Sequence, residues 1–104
     1  MTPGRIAVAF ILLGLSSVPA RAETIKVTID KLVFAPAEVN AKVGDTIEWV
    51  NKDALVHTAS ATNNDWNVNI QANQSGRIVL KKAGAVDYFC KYHPNMKGRV
   101  IVAP

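Results

Sequence analysis

The stretch CKYHPNM, residues 90–96, is the most informative part of this 104-residue chain. It follows an alternating, strand-like run and brings together a thiol at Cys90, an imidazole at His93 and a thioether at Met96. Cys90 is the only cysteine of the chain, and Met96 is the only methionine besides Met1. Thiolate and thioether sulfurs are soft donors, and together with imidazole they suit copper better than zinc, calcium or magnesium.

The second histidine of the chain, His57, completes a set of two imidazoles and one thiolate, with Met96 available as a weak axial ligand. This is the ligand composition of a blue-copper electron-transfer site. We expect His57 to reach the site across the sandwich from another inter-strand loop, because binding residues often lie on loops held by a rigid scaffold. Taken singly, each residue has an ordinary reading as a surface histidine, a buried cysteine or a methionine that fills the core. The complete set favours a metal.

The rest of the chain predicts an all-β protein. Apolar and polar residues alternate with a period of two in segments such as 25–29 and 86–90, and no window holds a helical repeat. Turn residues separate these segments at the spacing of a small β-sandwich. Residues 67–74 fit either a short strand or an irregular loop, and we assign Trp49 and Phe34 to the core.

The first 22 residues predict a cleaved secretory signal peptide. Arg5 precedes an apolar run over residues 6–15, and residues 20–22 match the small-x-small rule for cleavage. The run is too short for a confident membrane span, although an uncleaved anchor is the alternative. No twin arginine precedes it, which favours export of the unfolded chain to the periplasm and metal loading there.

Cleavage after Ala22 leaves residues 23–104 as one small domain. Loss of Arg5 and Arg21 lowers the formal charge from +4 to +2, which does not indicate a nucleic-acid partner. We also expect no lipid anchor, because no cysteine lies near the cleavage point, and no membrane anchor, because the apolar run is short.

Enzymatic alternatives explain the residues less well. A Cys–His nucleophile is conceivable, but no oxyanion-hole motif or third orienting carboxylate accompanies it. The Cys-x-x-Cys-His motif of c-type haem is absent, and zinc leaves Met96 unexplained. We therefore predict a protein that is not an enzyme. A copper carrier or buffer with the same ligands stays open as the alternative to an electron carrier.

At these residues the chain resembles the cupredoxins, and within them the amicyanin group. The strongest blocks are residues 43–57 and 83–102, and the Cys-x-x-His-x-x-Met loop has the amicyanin spacing. The resemblance implies a Greek-key β-sandwich of about seven to eight strands with one type 1 copper ion. It implies His57, Cys90 and His93 as strong ligands and Met96 as the long axial ligand. The protein would shuttle single electrons between redox partners by cycling between Cu(II) and Cu(I).

The resemblance extends to residues around the ligands. Asn51 matches a position that ties the two ligand loops together and supports hydrogen bonding around the thiolate. Leu55, Val56 and Pro94 would form an apolar partner surface, with His93 as the exposed edge for electron transfer. The expected partners are a donor and an acceptor protein, with a dehydrogenase and a c-type cytochrome as candidates, and the sequence identifies neither.

Two departures from the amicyanin pattern bear on partners. The chain after residue 22 has no room for the additional N-terminal strand of amicyanin, and Asn95 stands where amicyanin has an aromatic residue. Methylamine dehydrogenase, the electron donor of amicyanin, is therefore not carried over. We expect a monomer, and three lysines near the ligand loops either form a basic rim that steers an acidic partner or, as is more common for such side chains, only keep the surface soluble. These lysines are Lys52, Lys91 and Lys97.

Overall fold

The computed structural model describes residues 21–104, so the predicted signal peptide, residues 1–22, lies outside this part except for its last two residues. Residues 21–104 form nine strands and no helix, and thus no helix that could cross a membrane. The strands are β1 Thr24–Asp30, β2 Val33–Ala35, β3 Glu38–Lys42, β4 Thr46–Asn51, β5 His57–Ala61, β6 Asn67–Ile70, β7 Ser75–Val79, β8 Gly84–Phe89 and β9 Lys97–Ala103.

The strands form two sheets. The order is β2-β1-β4-β7 in the four-stranded sheet and β3-β9-β8-β5-β6 in the five-stranded sheet. Strands β1 and β4, and likewise β3 and β9, run parallel, while the other neighbours are antiparallel. The predicted all-β sandwich is confirmed. The described part of the chain has nine strands where about seven to eight were expected. The short β2 pairs with β1 as a separate strand, and residues 57–79 divide into three strands.

The alternating pattern places an apolar and aromatic core between the sheets. Trp49 and Phe34 are fully buried, which confirms their assignment to the core, and their rings both pack against Tyr88. The indole Nε1–H of Trp49 donates to the Tyr88 hydroxyl at 3.3 Å. Burial raises the pKa of Tyr88 to about 12, so its hydroxyl stays neutral and this core remains uncharged at ordinary pH.

Gly98 is required by close packing against this core. Gly98 is the second residue of β9, which begins at Lys97. A Cβ atom at position 98 would overlap the phenol ring of Tyr88, which pairs with Gly98 across β8 and β9. The glycine therefore makes room for the largest side chain on β8.

The topology brings the two candidate ligand segments to one end of the five-stranded sheet. His57 is the first residue of β5, and Cys90 directly follows the last residue of β8. Because β5 and β8 are antiparallel neighbours, the start of one lies beside the end of the other. His57 therefore comes from an adjacent strand of the same sheet and not from across the sandwich, which corrects the expectation from the sequence.

Candidate metal centre

Three donor atoms converge at this end of the sheet. The Cys90 Sγ lies 3.7 Å from His57 Nδ1 and 3.9 Å from His93 Nδ1. All the donor atoms of this group lie within 4.8 Å of one another. Metal–nitrogen and metal–sulfur bonds to zinc are about 2.0–2.3 Å long. If bonds of these lengths lay about 120° apart around one ion, the nitrogen and sulfur atoms would be about 3.8 Å apart. The observed separations fit a single ion of that size.

The Cys90–Met96 loop is closed by its own backbone. The Cys90 N–H donates to the Met96 carbonyl at 3.2 Å, and the Met96 N–H donates to the His93 carbonyl at 2.8 Å. Met96 is buried, with 3% of its surface exposed, and it belongs to the core cluster that also contains Cys90. One short turn thus fixes three of the predicted ligands, and Pro94 limits its backbone freedom.

The imidazole of His57 is hydrogen-bonded to the carboxylate of Asp53, which the sequence did not single out and which corrects the expectation that no orienting carboxylate accompanies the Cys–His pair. His57 Nε2 lies 2.9 Å from Asp53 Oδ2, and the His57 side chain is fully buried. Because an ionised carboxylate only accepts hydrogen bonds, Nε2 carries the proton in this contact. The lone pair is then on Nδ1, the nitrogen that faces Cys90, so this contact selects the tautomer that can bind a metal.

Asp53 also anchors the turn between β1 and β2. Its Oδ1 accepts from the Lys31 N–H at 2.7 Å, and its Oδ2 accepts from the Leu32 N–H at 3.0 Å. Lys31 and Leu32 both adopt positive φ, 54° and 63°, which is uncommon for residues other than glycine. Burial by itself raises the pKa of Asp53, but the bonds from Leu32, His57 and Lys31 outweigh it and lower the pKa below its usual value. Asp53 therefore stays ionised and keeps all three donors.

The thiol of Cys90 receives a hydrogen bond from the backbone of Thr58, which the sequence analysis also missed. The Thr58 N–H donates to Cys90 Sγ at 3.4 Å. The Thr58 hydroxyl oxygen accepts from the Lys91 N–H at 2.9 Å, which joins β5 to the residue after the cysteine. The first bond holds the sulfur in place, and the second fixes the distance between the two ligand segments.

Asn51 makes a different connection from the one that the resemblance suggested. Its side-chain Nδ2 donates to the Leu55 carbonyl at 2.8 Å and to the Gln71 carbonyl at 3.2 Å. Its Oδ1 accepts from the Asp53 N–H at 2.9 Å. Asn51 thus links the β4–β5 loop to the end of β6 by hydrogen bonds, whereas Thr58 forms the hydrogen bond to the Cys90 loop. Asn51 therefore holds Asp53 and Leu55 in position.

The outer side of the site combines apolar and basic side chains. The His93 ring is half-buried and packs against the His57 ring with centroids 5.1 Å apart. Leu55 and Pro94 are exposed, Val56 is half-buried, and Tyr92, which was not anticipated, is 58% exposed. The three lysines of the expected basic rim are all exposed, namely Lys52, Lys91 and Lys97.

Comparison with known proteins agrees with this fold and site. A family model described as a cupredoxin-like domain matches residues 4–102. Amicyanin from Paracoccus versutus is 32% identical over 87 residues, which cover 78% of this chain and 66% of the relative. Amicyanin-alpha from Methylorubrum extorquens is 35% identical over 89 residues, which cover 80% of this chain and 75% of the relative. The crystal structure of amicyanin from Paracoccus versutus superposes with a TM-score of 0.67 at 36% identity, over 83% of this chain and 85% of that one.

The two-sheet sandwich and the His–Cys–His group thus define a protein of the copper-binding β-sandwich class. The chain belongs to the cupredoxin family. It spans 66% of the length of the Paracoccus versutus amicyanin, just under two thirds.

Proposed function

We propose that this protein is an exported type 1 copper protein that carries single electrons between redox partner proteins. His57, Cys90 and His93 would hold the ion, and the thioether of Met96 would supply a weaker fourth donor. A bound copper ion would contribute its one-electron Cu(II)/Cu(I) couple. The protein transforms no substrate of its own.

The observation that carries this proposal is the convergence of one thiol and two imidazole nitrogens at 3.7 and 3.9 Å, already in place around one point. A soft thiolate with two imidazoles is the donor set of blue-copper sites. The thioether of Met96 lies on the same closed loop and would complete that set.

The surrounding hydrogen bonds suit an electron carrier because they hold the donors still. Asp53 fixes the His57 ring, and Thr58 fixes the Cys90 sulfur and the backbone that follows it. Asn51 braces the loop between them. Donors that keep their positions in both oxidation states reduce the reorganisation that accompanies each electron transfer.

The partner proteins would meet the half-buried His93 edge through the apolar surface of Leu55, Val56 and Pro94. The exposed lysines around this surface would attract an acidic partner and raise its association rate. A dehydrogenase as donor and a c-type cytochrome as acceptor are consistent with such a protein. We place it in the periplasm, as a monomer, after cleavage of the signal peptide.

An electron carrier and a copper carrier differ in what happens on reduction. Purified Cu(II) protein should be reduced by ascorbate in the presence of excess Cu(I) chelator, and both the redox state and the bound copper should be followed. An electron carrier keeps its copper through repeated cycles of reduction and oxidation. Release of most of the copper in the first cycle would support the carrier or buffer function instead.

The partner surface can be tested without a known partner, because two copies of the protein can exchange electrons with each other. Leu55→Lys would add positive charge to a surface already rimmed by lysines, so two copies would repel each other in that encounter and the self-exchange rate, measured by NMR line broadening, should fall at least about tenfold. Val79→Lys is the matched control, since Val79 is 53% exposed on β7 and Leu55 is 51% exposed. Equal rates for the two variants would remove Leu55 from the contact surface.

A further inference from the structure

The buried carboxylate of Asp45 accepts a hydrogen bond from Glu23, the residue that follows the predicted cleavage site. The Asp45 side chain is only 4% exposed, and its Oδ1 accepts from the backbone nitrogen of Glu23 at 2.9 Å. The Glu23 carbonyl in turn accepts from the Thr46 N–H at 2.8 Å, which sets Glu23 in register with the start of β4. Glu23 is thus held at both its amide and its carbonyl before β1 begins.

We propose that hydrolysis of the Ala22–Glu23 bond creates an α-ammonium group on Glu23 that Asp45 binds as a partly buried ion pair, so that processing stabilises the mature domain. In this step water adds to the Ala22 carbonyl carbon and the C–N bond breaks. The leader leaves with a carboxylate on Ala22, and the Glu23 nitrogen becomes a protonated amine. The inference rests on the predicted signal cleavage and is independent of copper.

The physical gain comes from the change in the donor. In the uncleaved chain Asp45 accepts from a neutral amide N–H, whereas after cleavage it accepts from a charged ammonium at the same position. The Asp45 carboxylate is charged before and after cleavage, so the gain is the Coulomb attraction that the positive charge on the new donor adds. The side chain of Asp45 is shielded from water, so the interaction is screened less than at an exposed position.

Three other charged groups lie near the Asp45 carboxylate and the Glu23 nitrogen. Lys42 donates from its Nζ to Asp45 Oδ1 at 3.1 Å and from its N–H to Oδ2 at 2.9 Å, and its side chain is 33% exposed. Lys81 follows Leu80, whose N–H bonds the Asp45 carbonyl, and Glu23 carries its own exposed carboxylate. The Glu23 N–H is the first of the influences that lower the pKa of Asp45, ahead of the contacts with Lys42, while burial opposes them. Asp45 is therefore ionised and ready for a cation at Glu23.

The stability contributed by the Glu23–Asp45 ion pair should depend on pH. An ordinary α-amino group has a pKa of about 7.7–8.0, and the carboxylate should raise it in the folded protein by at least about one unit, which is tenfold tighter proton binding. A pKa raised by folding gives stability that is complete below about pH 8 and is lost as pH rises through the folded value.

The test compares the copper-loaded chain that begins at Glu23 with a chain that keeps residues 20–22 and carries its α-amino group elsewhere. NMR titration of the Glu23 amine should give a pKa near 9 or above. Thermal unfolding at pH 7 should show a higher melting temperature for the chain that begins at Glu23. The difference should vanish by about pH 10.5, and Asp45→Asn should abolish it at pH 7.

Several results would overturn the inference. An α-amino pKa of about 7.7–8.0, or equal melting temperatures at pH 7, would show that Asp45 does not bind the new terminus. The NMR titration needs only the unsubstituted protein, so it decides the matter even where Asp45→Asn does not fold. The intact mass of protein exported by cells should match a chain that begins at Glu23, and another first residue would contradict the proposed processing.

Discussion

Replacement of Asp53 by asparagine should weaken both the fold and the copper site, because three donors share this carboxylate. Oδ1 faces the Lys31 N–H, and Oδ2 faces both the Leu32 N–H and His57 Nε2. Asparagine has only one side-chain oxygen, so in either orientation its NH₂ group faces at least one N–H donor. The change is nearly isosteric and alters little except charge and hydrogen bonding.

The expected magnitude follows from these contacts. Hydrogen bonds to charged groups contribute about 1.5–3 kcal/mol, and a buried donor without a partner costs about 1–3 kcal/mol. We expect Asp53→Asn to lower the free energy of unfolding by about 2–4 kcal/mol. Loss of a partner behind a ligand histidine typically lowers metal affinity 10- to 100-fold, and we expect the affinity for Cu(II) to fall by about that factor.

The assay combines urea unfolding of the copper-free protein with competition for Cu(II) against a chelator of known affinity. Asp87→Asn is the matched control, because Asp87 is exposed on β8 and, within residues 21–104, its carboxylate pairs only with the exposed Arg99. Such a surface pair contributes about 0–1 kcal/mol. If Asp53→Asn matched Asp87→Asn in both stability and copper affinity, the positioning of His57 by Asp53 would be refuted.

Three further substitutions test the axial donor, the packing of β9 against Tyr88 and the carboxylate of Asp45. Met96→Gln should keep copper bound and lower the reduction potential in voltammetry, because oxygen is a harder donor that favours Cu(II), and an unchanged potential would make Met96 core filler. Gly98→Ala should lower the free energy of unfolding by about 1–3 kcal/mol, since the new methyl group overlaps Tyr88; a neutral result in urea unfolding would contradict the close packing. The pKa of Asp45 lies below its usual value, so its stabilising effect is complete above about pH 4 and is lost as pH falls through the lower folded value. Asp45→Asn should accordingly flatten the decline of the urea midpoint between pH 4 and pH 2, and a curve parallel to that of the unsubstituted protein would refute this role.

The sequence was sufficient to predict the sandwich because burial imposes a period of two on each strand. Val27 and Ile29 are fully buried on β1, and Tyr88 and Cys90 are buried on the same face of the chain at the end of β8. The same pattern could not show which strands are neighbours, because strand pairing depends on contacts between residues that lie far apart in the sequence. For that reason the sequence placed His57 across the sandwich and not beside Cys90.

The candidate donors were also recognisable, because a thiol, a thioether and imidazole are rare and chemically distinctive. The residues that hold them are common types and carried no such signal. Asp53 lies four residues before His57 on a loop, and its function depends on the turn at Lys31, which only the folded structure brings near. Thr58 acts on the sulfur through its backbone N–H, which every residue except proline has. A polar residue next to a predicted ligand was the only available hint.

A type 1 copper site at Cys90 is tested most directly by the visible absorption spectrum of the Cu(II) protein, recorded beside that of Cys90→Ser. We expect an intense blue colour from charge transfer between the Cys90 thiolate and Cu(II). The serine variant should lose this colour while circular dichroism still shows the β-sandwich. A colourless unsubstituted protein that binds one Cu(II), or a serine variant that stays blue, would contradict a type 1 site at Cys90.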